Sequence, residues 1–346
     1  MKTNAWAALA ADRPLEAFTL TRRDVGPHDV QLDVLFSGIC HSDLHQARGE
    51  WGNSTFPMVP GHEVVGRVTA VGAHVKKFKV GDLAGVGCMV DSCRTCTWCA
   101  AGDEQFCDQG CAWTYNGTEM DKKTPTQGGY SKQLVVTEAF ALKVPASLDL
   151  SRAAPLLCAG VTTWSPLREW NTKKGDRVAV VGLGGLGHMA VKLAAALGAE
   201  VTVLSTSKAK QADAQRLGAH EFEVTSDRTT FKKLARRFDL IIDTVSAEHD
   251  LNAYLGLVKP HGAMVLVGVP PKPAPVHAFS LISGNRRLAG SSIGNLKATQ
   301  EVLDFCAEHK LGADVEVIPA KDINLAYERL LKNDVRYRFV IDASTF

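Results

Sequence analysis

The chain has 346 residues, 45% of them hydrophobic and 22% charged, with a formal net charge of +2. This is an ordinary globular composition, long enough for two domains with separate cores; the scattered basic residues exclude the electrostatic footprint of a nucleic-acid or membrane-surface binder. No run of about 18 apolar residues is present to span a bilayer, and the opening MKTNAWAALAADRPLEAF lacks the apolar stretch of a secretory signal.

From the N-terminus to roughly residue 145, short alternating runs such as VQLDVLFSG and HEVVGRVTAVG recur between turn signals. The pattern predicts a mainly β region with long functional loops. Within it, DSCRTCTWCAAGDEQFC places Cys93, Cys96, Cys99 and Cys107 at C-x2-C-x2-C-x7-C spacing. Four thiolates complete a tetrahedral zinc site and leave no place for a substrate. The lobe over residues 91–111 is therefore predicted to be a structural staple and not the centre of the reaction. The other five of the nine cysteines, Cys40, Cys88, Cys111, Cys158 and Cys306, are dispersed. An odd count in a long chain argues against a disulfide scaffold and for a reducing cytoplasm.

Near Leu150 the pattern changes to alternating strands and helices. RVAVVGLG, EVTVL, EFEV, FDLIIDTV and AMVLVGV read as five strands with helices between them, the signature of a doubly wound parallel sheet. The helix GHMAVKLAAALGA is expected to close at Gly198. The terminal strand RYRFVID falls outside this alternation, so the chain is expected to return to its first domain. The predicted boundaries are 1–149, 150–285 and 286–346, the last segment rejoining the first.

VVGLGGLGH carries G-x-G-x-x-G at Gly182, Gly184 and Gly187, with Leu183, Gly185 and Leu186 between them. It follows a strand and opens a helix, the context in which backbone amides approach a pyrophosphate at a helix N-terminus. An enzyme using NAD usually ends its second strand in Asp or Glu. Here that end reads LSTSKAK, so Ser205, Thr206, Ser207, Lys208 and Lys210 suit a 2′-phosphate and predict NADP(H). Three further ligand-type residues, Cys40, His62 and Cys158, lie in SGICHSDLH, PGHEVVG and PLLCAGVTTW. Two cysteines and a histidine with an open fourth position form a catalytic zinc pattern. They are too far apart in sequence for spacing alone to join them.

GHEVVGRVTAVG, GICHSDLH, the four-cysteine lobe and GLGGLGH together resemble the zinc-dependent medium-chain alcohol dehydrogenases, over essentially the whole chain to NDVRYRFVID. The nearest likeness is to the cinnamyl-alcohol-dehydrogenase-like branch, which includes bacterial NADPH-dependent aldehyde reductases. The resemblance implies an α/β architecture: a GroES-like, mainly β catalytic domain, a Rossmann domain, and an active site in the cleft between them. It implies two zinc ions per chain, with Cys40, His62 and Cys158 on the catalytic one and Glu63 able to move onto it. Asp43 would orient the zinc-bound histidine; Ser42 and His45 would relay the proton. Ser42, Thr162, Thr244, Gly268, Ser291, Ser292 and Ile293 would contact the cofactor.

Trp51, Met58, Cys88, Trp113 and Ile293 are candidates for an apolar substrate pocket, although Trp51 and Met58 are equally consistent with core. Ser292 stands where lignin-pathway members commonly carry an aromatic residue. Losing that packing predicts a broad-range aldehyde reductase. A polyol or sugar dehydrogenase of the same superfamily, a zinc-free quinone reductase of the same fold and a non-catalytic zinc-binding interaction module are the competing readings. The partners expected are a small aldehyde or alcohol and, by likeness, a second copy in a homodimer; His41 is left without a role.

Overall fold

The computed structural model describes residues 1–346 and divides into two compact units, Met1–Cys158 with Asn295–Phe346, and Ala159–Gly294. The first unit is built on a seven-stranded sheet. Its strands run in the order Leu142–Lys143, Leu83–Val86, Val64–Val71, Asp29–Ile39, Arg338–Asp342, Val315–Pro319, with Gln133–Thr137 also paired to Asp29–Ile39. Ile39, Phe339 and Ile341 join Leu44, Val59, Tyr130, Ile323 and Tyr327 in one core cluster.

Fully burying each such side chain is worth about 1.5–3 kcal/mol, and a one-residue slip would turn a whole strand's apolar set outward. The register is thus held with Ile39 opposite Phe339 and Ser37 opposite Val64. Both neighbours run antiparallel to Asp29–Ile39. The end of that strand and the beginnings of Val64–Val71 and Arg338–Asp342 therefore meet at one edge of the sheet.

The second unit is a six-stranded parallel sheet in the order Glu221–Val224, Glu200–Ser205, Arg177–Val181, Phe238–Asp243, Val258–Leu266, Arg287–Gly290. Numbered by sequence this is 3-2-1-4-5-6, the doubly wound dinucleotide-binding order. The Val-rich strand Arg177–Val181 is buried beyond its first residue, as a central parallel strand must be. The helix Gly187–Ala196 is followed by Gly198 at φ +84°, the left-handed residue that stops it.

The sheet has one strand more than the five read from the sequence. Arg287–Gly290 is a short edge strand with an exposed arginine at its start, and it lacks the apolar run that marks the others. Its pairing with Val258–Leu266 keeps the chain in the second unit to Gly294. At the other seam, the helix Leu150–Ala153 and the turn Ala154–Leu157 pack on strands of the first sheet. Residues to Cys158 therefore belong to the first unit. No helix is long and apolar enough to cross a membrane.

Candidate active site

The converging strand edge of the first unit assembles the distant ligand-type residues. Cys40 follows the strand Asp29–Ile39, while His62 and Glu63 immediately precede Val64–Val71. Cys158 follows the turn Ala154–Leu157. Their ligand atoms all lie within 4.8 Å of one another, and all four residues are buried. Two thiols, an imidazole and a carboxylate form a donor set suited to zinc. Glu63 Oε2 is buried without a hydrogen-bond partner, leaving an acceptor free for a cation. A hydrogen bond with Cys158, aided by His62 and Arg338, holds the Cys40 thiol well below the ordinary cysteine range. The residues fit the metal.

Asp43, wholly buried in the helix His41–Ala47, organises this cluster. Its Oδ1 accepts from Gly61 N at 3.1 Å and pairs with His62 Nδ1 at 3.0 Å; its Oδ2 accepts from Cys40 N at 2.9 Å and from the Tyr130 hydroxyl at 3.2 Å. One carboxylate thus ties two ligand-bearing segments together. With its proton on Nδ1 facing Asp43, His62 keeps Nε2 for a metal. Tyr115 stacks on His62 with ring centroids 5.8 Å apart.

Glu63 forms a buried ion pair with Arg338, the first residue of the C-terminal strand. Burial pushes the Glu63 carboxyl up to about 7 against the pull of Arg338. Ser42 Oγ lies 3.7 Å from Cys40 Sγ, and His45 Nδ1 is 2.5 Å from Glu50 Oε2.

The four thiols of Cys93, Cys96, Cys99 and Cys107 also lie within 4.8 Å of one another. Backbone N–H groups of Cys93 and Cys96 donate to the sulfurs of Cys107 and Cys93 at 3.4 and 3.3 Å. The backbone amides of Thr95 and Cys96 draw the Cys93 thiol down to about 6. The helix Thr97–Ala101 buries no side chain, and Trp98 and Phe106 are exposed. A lobe with so little core needs the metal to hold its shape.

In the second unit the expected cofactor residues line the carboxyl edge of the sheet. Gly182 to Gly187 follow Val181, Ser205 to Lys210 close the next strand, Thr244 follows Asp243, Gly268 follows Leu266, and Ser291 to Ile293 follow Gly290. A Cβ on Gly182, whose φ is +86°, would meet Val245 at 2.9 Å and Thr244 Oγ1 at 3.0 Å, whereas the space around Gly184 is open. This is a cradle in which backbone can approach a phosphate, and the residues fit a dinucleotide. Thr206, Ser207 and Lys208 are exposed at the strand end. Lys210 Nζ donates to Leu183 O at 2.8 Å, which ties the lysine to the glycine turn. Thr162 is buried in the helix Ala159–Glu169, which begins directly after Cys158.

Among the pocket candidates, Cys88 hydrogen-bonds Cys158, which lowers its pKa. Trp51 and Trp113 are exposed, with Trp51 beside His45 at 5.5 Å between ring centroids. Met58 is 1% exposed and bonded through its backbone to Ala8. Ile293 is half-buried at φ +44°. Sequence reasoning missed Arg338, Tyr130 and Tyr115. Only the register of the sheet, for Arg338, and the folding of loops onto Asp43 and His62, for the tyrosines, bring them to the site.

Residues 26–146 match the alcohol dehydrogenase GroES-like domain family, and residues 185–308 match the zinc-binding dehydrogenase family. The chain belongs to the zinc-binding alcohol dehydrogenases and is an oxidoreductase. It is 57% identical to an NADP-dependent alcohol dehydrogenase C of Mycolicibacterium smegmatis, covering 99% of this chain and 98% of the relative. Among solved structures, a cinnamyl alcohol dehydrogenase from Sorghum bicolor aligns with a TM-score of 0.96 and 49% identity, covering 99% of this chain and 98% of that one. The Helicobacter pylori cinnamyl alcohol dehydrogenase complexed with NADP(H) aligns at 0.92 and 42% over 99% of both chains.

Proposed function

We propose that the enzyme interconverts aldehydes and primary alcohols with NADP(H), accepting aromatic and aliphatic substrates alike. The observation that carries the cofactor choice is the end of the strand Glu200–Ser205, where exposed Thr206, Ser207 and Lys208 follow with no carboxylate. Hydroxyls and an ammonium group attract a 2′-phosphate that a carboxylate would repel.

Zinc on Cys40, His62 and Cys158 supplies Lewis-acid polarisation of the substrate oxygen, and NADP(H) carries the hydride. The chain's own residues do the rest. Asp43 holds His62 in the tautomer that leaves Nε2 free and clamps the backbone at Cys40 and Gly61. Ser42, beside Cys40, passes the proton toward His45. His45, partly exposed and paired with Glu50, exchanges it with water. Glu63, with Arg338 as counter-charge, is the carboxylate next to Cys40, His62 and Cys158 that would be within reach of a zinc ion held there. Cys88, Trp113 and Trp51 contribute apolar surface for the substrate, whereas Met58 is core, and Ser292 in place of an aromatic ring widens the range accepted.

The enzyme acts in the cytoplasm as a homodimer joined along the edge strand Arg287–Gly290, a reading supported by the free side of that strand. Exposed Val269, Phe279 and Ile282 in the same unit add apolar surface for such a contact.

A steady-state panel of aromatic aldehydes, aliphatic aldehydes and polyols, run with NADPH and NADH side by side, tests the proposal. Comparable kcat/KM for both aldehyde types with NADPH preferred is the expected result. Equal or better rates with NADH would overturn the cofactor assignment. An exclusive preference for coniferaldehyde-type substrates, or for polyols, would overturn the substrate range.

A further inference from the structure

The four-cysteine lobe does more than close on its own metal. Between Cys99 and Cys107 its backbone turns at Gly102 and presents Asp103 and Glu104. Both are half-buried, and both point to one place. Asn295 Nδ2 donates to Asp103 Oδ1 at 3.2 Å, and Leu296 N donates to Glu104 Oε2 at 3.3 Å. Asn295 is the N-cap of the helix Leu296–Glu308, and its Oδ1 accepts from Ala298 N at 2.7 Å. Leu296 N is among the helix-start donors that have no partner inside the helix. Two carboxylates at the positive end of a 13-residue helix are electrostatically favoured there.

Asn295 is also the residue at which the chain re-enters its first unit. The residues just before it are Ser291–Ile293. This segment is fixed at its far end by Ser291 N donating to Leu266 O at 3.1 Å. Between the two anchors stands Ile293 at φ +44°. A β-branched residue avoids that conformation, and it persists only where flanking structure imposes it. The helix that follows packs its buried face, including Thr299, Val302, Leu303 and Cys306, toward the turn Ala154–Leu157 that leads to Cys158.

We infer that Asp103 and Glu104 are positioning residues through which the metal-closed lobe holds the segment Ser291–Ile293 in its cofactor-binding conformation. The lobe has almost no apolar core, so the placement of both carboxylates depends on the ligation of Cys99 and Cys107 on either side of them. Asp103 N is bonded to Trp98 O at 2.8 Å and Cys107 N to Glu104 O at 3.1 Å, which transmits that closure to the two side chains. The inference rests on the reading that Ser291–Ile293 contacts NADP(H).

The test uses the full-length zinc-loaded enzyme and three variants. Asp103→Ala/Glu104→Ala removes both acceptors. Asn295→Asp leaves the lobe intact, keeps a good N-cap, and sets a carboxylate against Asp103. Gln105→Ala is the control within the lobe. NADPH affinity is read by fluorescence titration, zinc per chain by atomic absorption, and amide exchange over residues 291–296 by mass spectrometry.

Both anchor variants are expected to weaken NADPH binding by about 3- to 10-fold. They should also speed exchange of residues 291–296 and change kcat by less than about twofold, while the control does neither. Asn295→Asp separates the anchor from any loss of the lobe's own metal. Unchanged NADPH affinity in Asn295→Asp would overturn the inference, whatever happens to thermal stability. If NADPH leaves exchange of residues 291–294 unaltered in the unmodified enzyme, the cofactor reading of the segment fails instead.

Discussion

Replacing Asp43 with asparagine tests the organisation of the metal cluster most directly. The carboxylate faces four donors: Cys40 N, Gly61 N, His62 Nδ1 and the Tyr130 hydroxyl. Asparagine offers one acceptor oxygen. Placed at the Oδ1 position, that oxygen keeps Gly61 and His62, and the amide NH2 then faces Tyr130 and the Cys40 N–H. The tyrosine hydroxyl can turn and accept; the backbone amide cannot. One buried donor is left unsatisfied, which costs about 1–3 kcal/mol. The opposite amide orientation strands two donors and is worse.

The metal gives a second, independent magnitude. Removing the partner of a ligating histidine typically costs about 10- to 100-fold in metal affinity, which at about 1.4 kcal/mol per decade covers the same range. Competition with a chromogenic chelator should show the catalytic zinc leaving D43N about 10- to 100-fold more readily. The four-cysteine zinc, which does not touch Asp43, serves as an internal reference and should be unmoved. D43N holding both metals with wild-type affinity would refute the assignment of Asp43 as the clamp on His62 and Cys40.

Cys99→Ser should reduce the metal content from two zinc ions to one, lower the thermal midpoint and weaken NADPH binding, with kcat lost only as the protein unfolds; metal analysis showing two retained ions would contradict a four-thiolate site. Lys208→Ala should lower kcat/KM with NADPH by about 10-fold or more, the scale of one hydrogen bond to a charged group, and leave NADH unaffected. Equal losses with both cofactors would remove Lys208 from 2′-phosphate recognition. His249 Nε2 pairs with buried Asp243 Oδ2 at 2.7 Å, and the hydrogen bond with Asp243 raises its pKa above the ordinary histidine value. A raised folded-state pKa contributes stability that is complete below about pH 6.5 and fades as pH climbs through the raised value. The urea midpoint of the unmodified enzyme should therefore exceed that of His249→Asn by more at pH 5.5 than at pH 9, and a gap that does not change with pH would dismiss the pair.

The parts of the site that were legible in the sequence are those whose partners are local in the chain. The cysteine lobe is readable because its four ligands fall within fifteen positions, from Cys93 to Cys107. The glycine turn is readable because Gly182, Gly184 and Gly187 act on backbone that passes within a few residues. Arg287–Gly290 was lost because an edge strand needs no continuous apolar run, being covered on one side only. Grouping Cys40, His62 and Cys158 needed a family resemblance, since strand register brings the first two together and the packing of the turn Ala154–Leu157 on the sheet brings the third, with no help from spacing.

Arg338 shows where that limit bites. RYRFVID announces a strand, and nothing local distinguishes its second arginine from a solvent-facing one. The antiparallel pairing of Phe339 with Ile39 carries it to Glu63, 275 positions away. Burial alone would neutralise Glu63, and a neutral carboxyl is a poor metal ligand. Arg338 opposes that by offering a permanent charge on one oxygen, while the other stays unpaired. With one oxygen held by a fixed cation and the other free, Glu63 would be able to meet a metal on the neighbouring ligands without leaving a bare charge in the interior. The C-terminal strand therefore sets a counter-charge on the carboxylate beside the ligand cluster as well as adding a strand to the sheet, and it is the return of the chain to its first unit that brings it there.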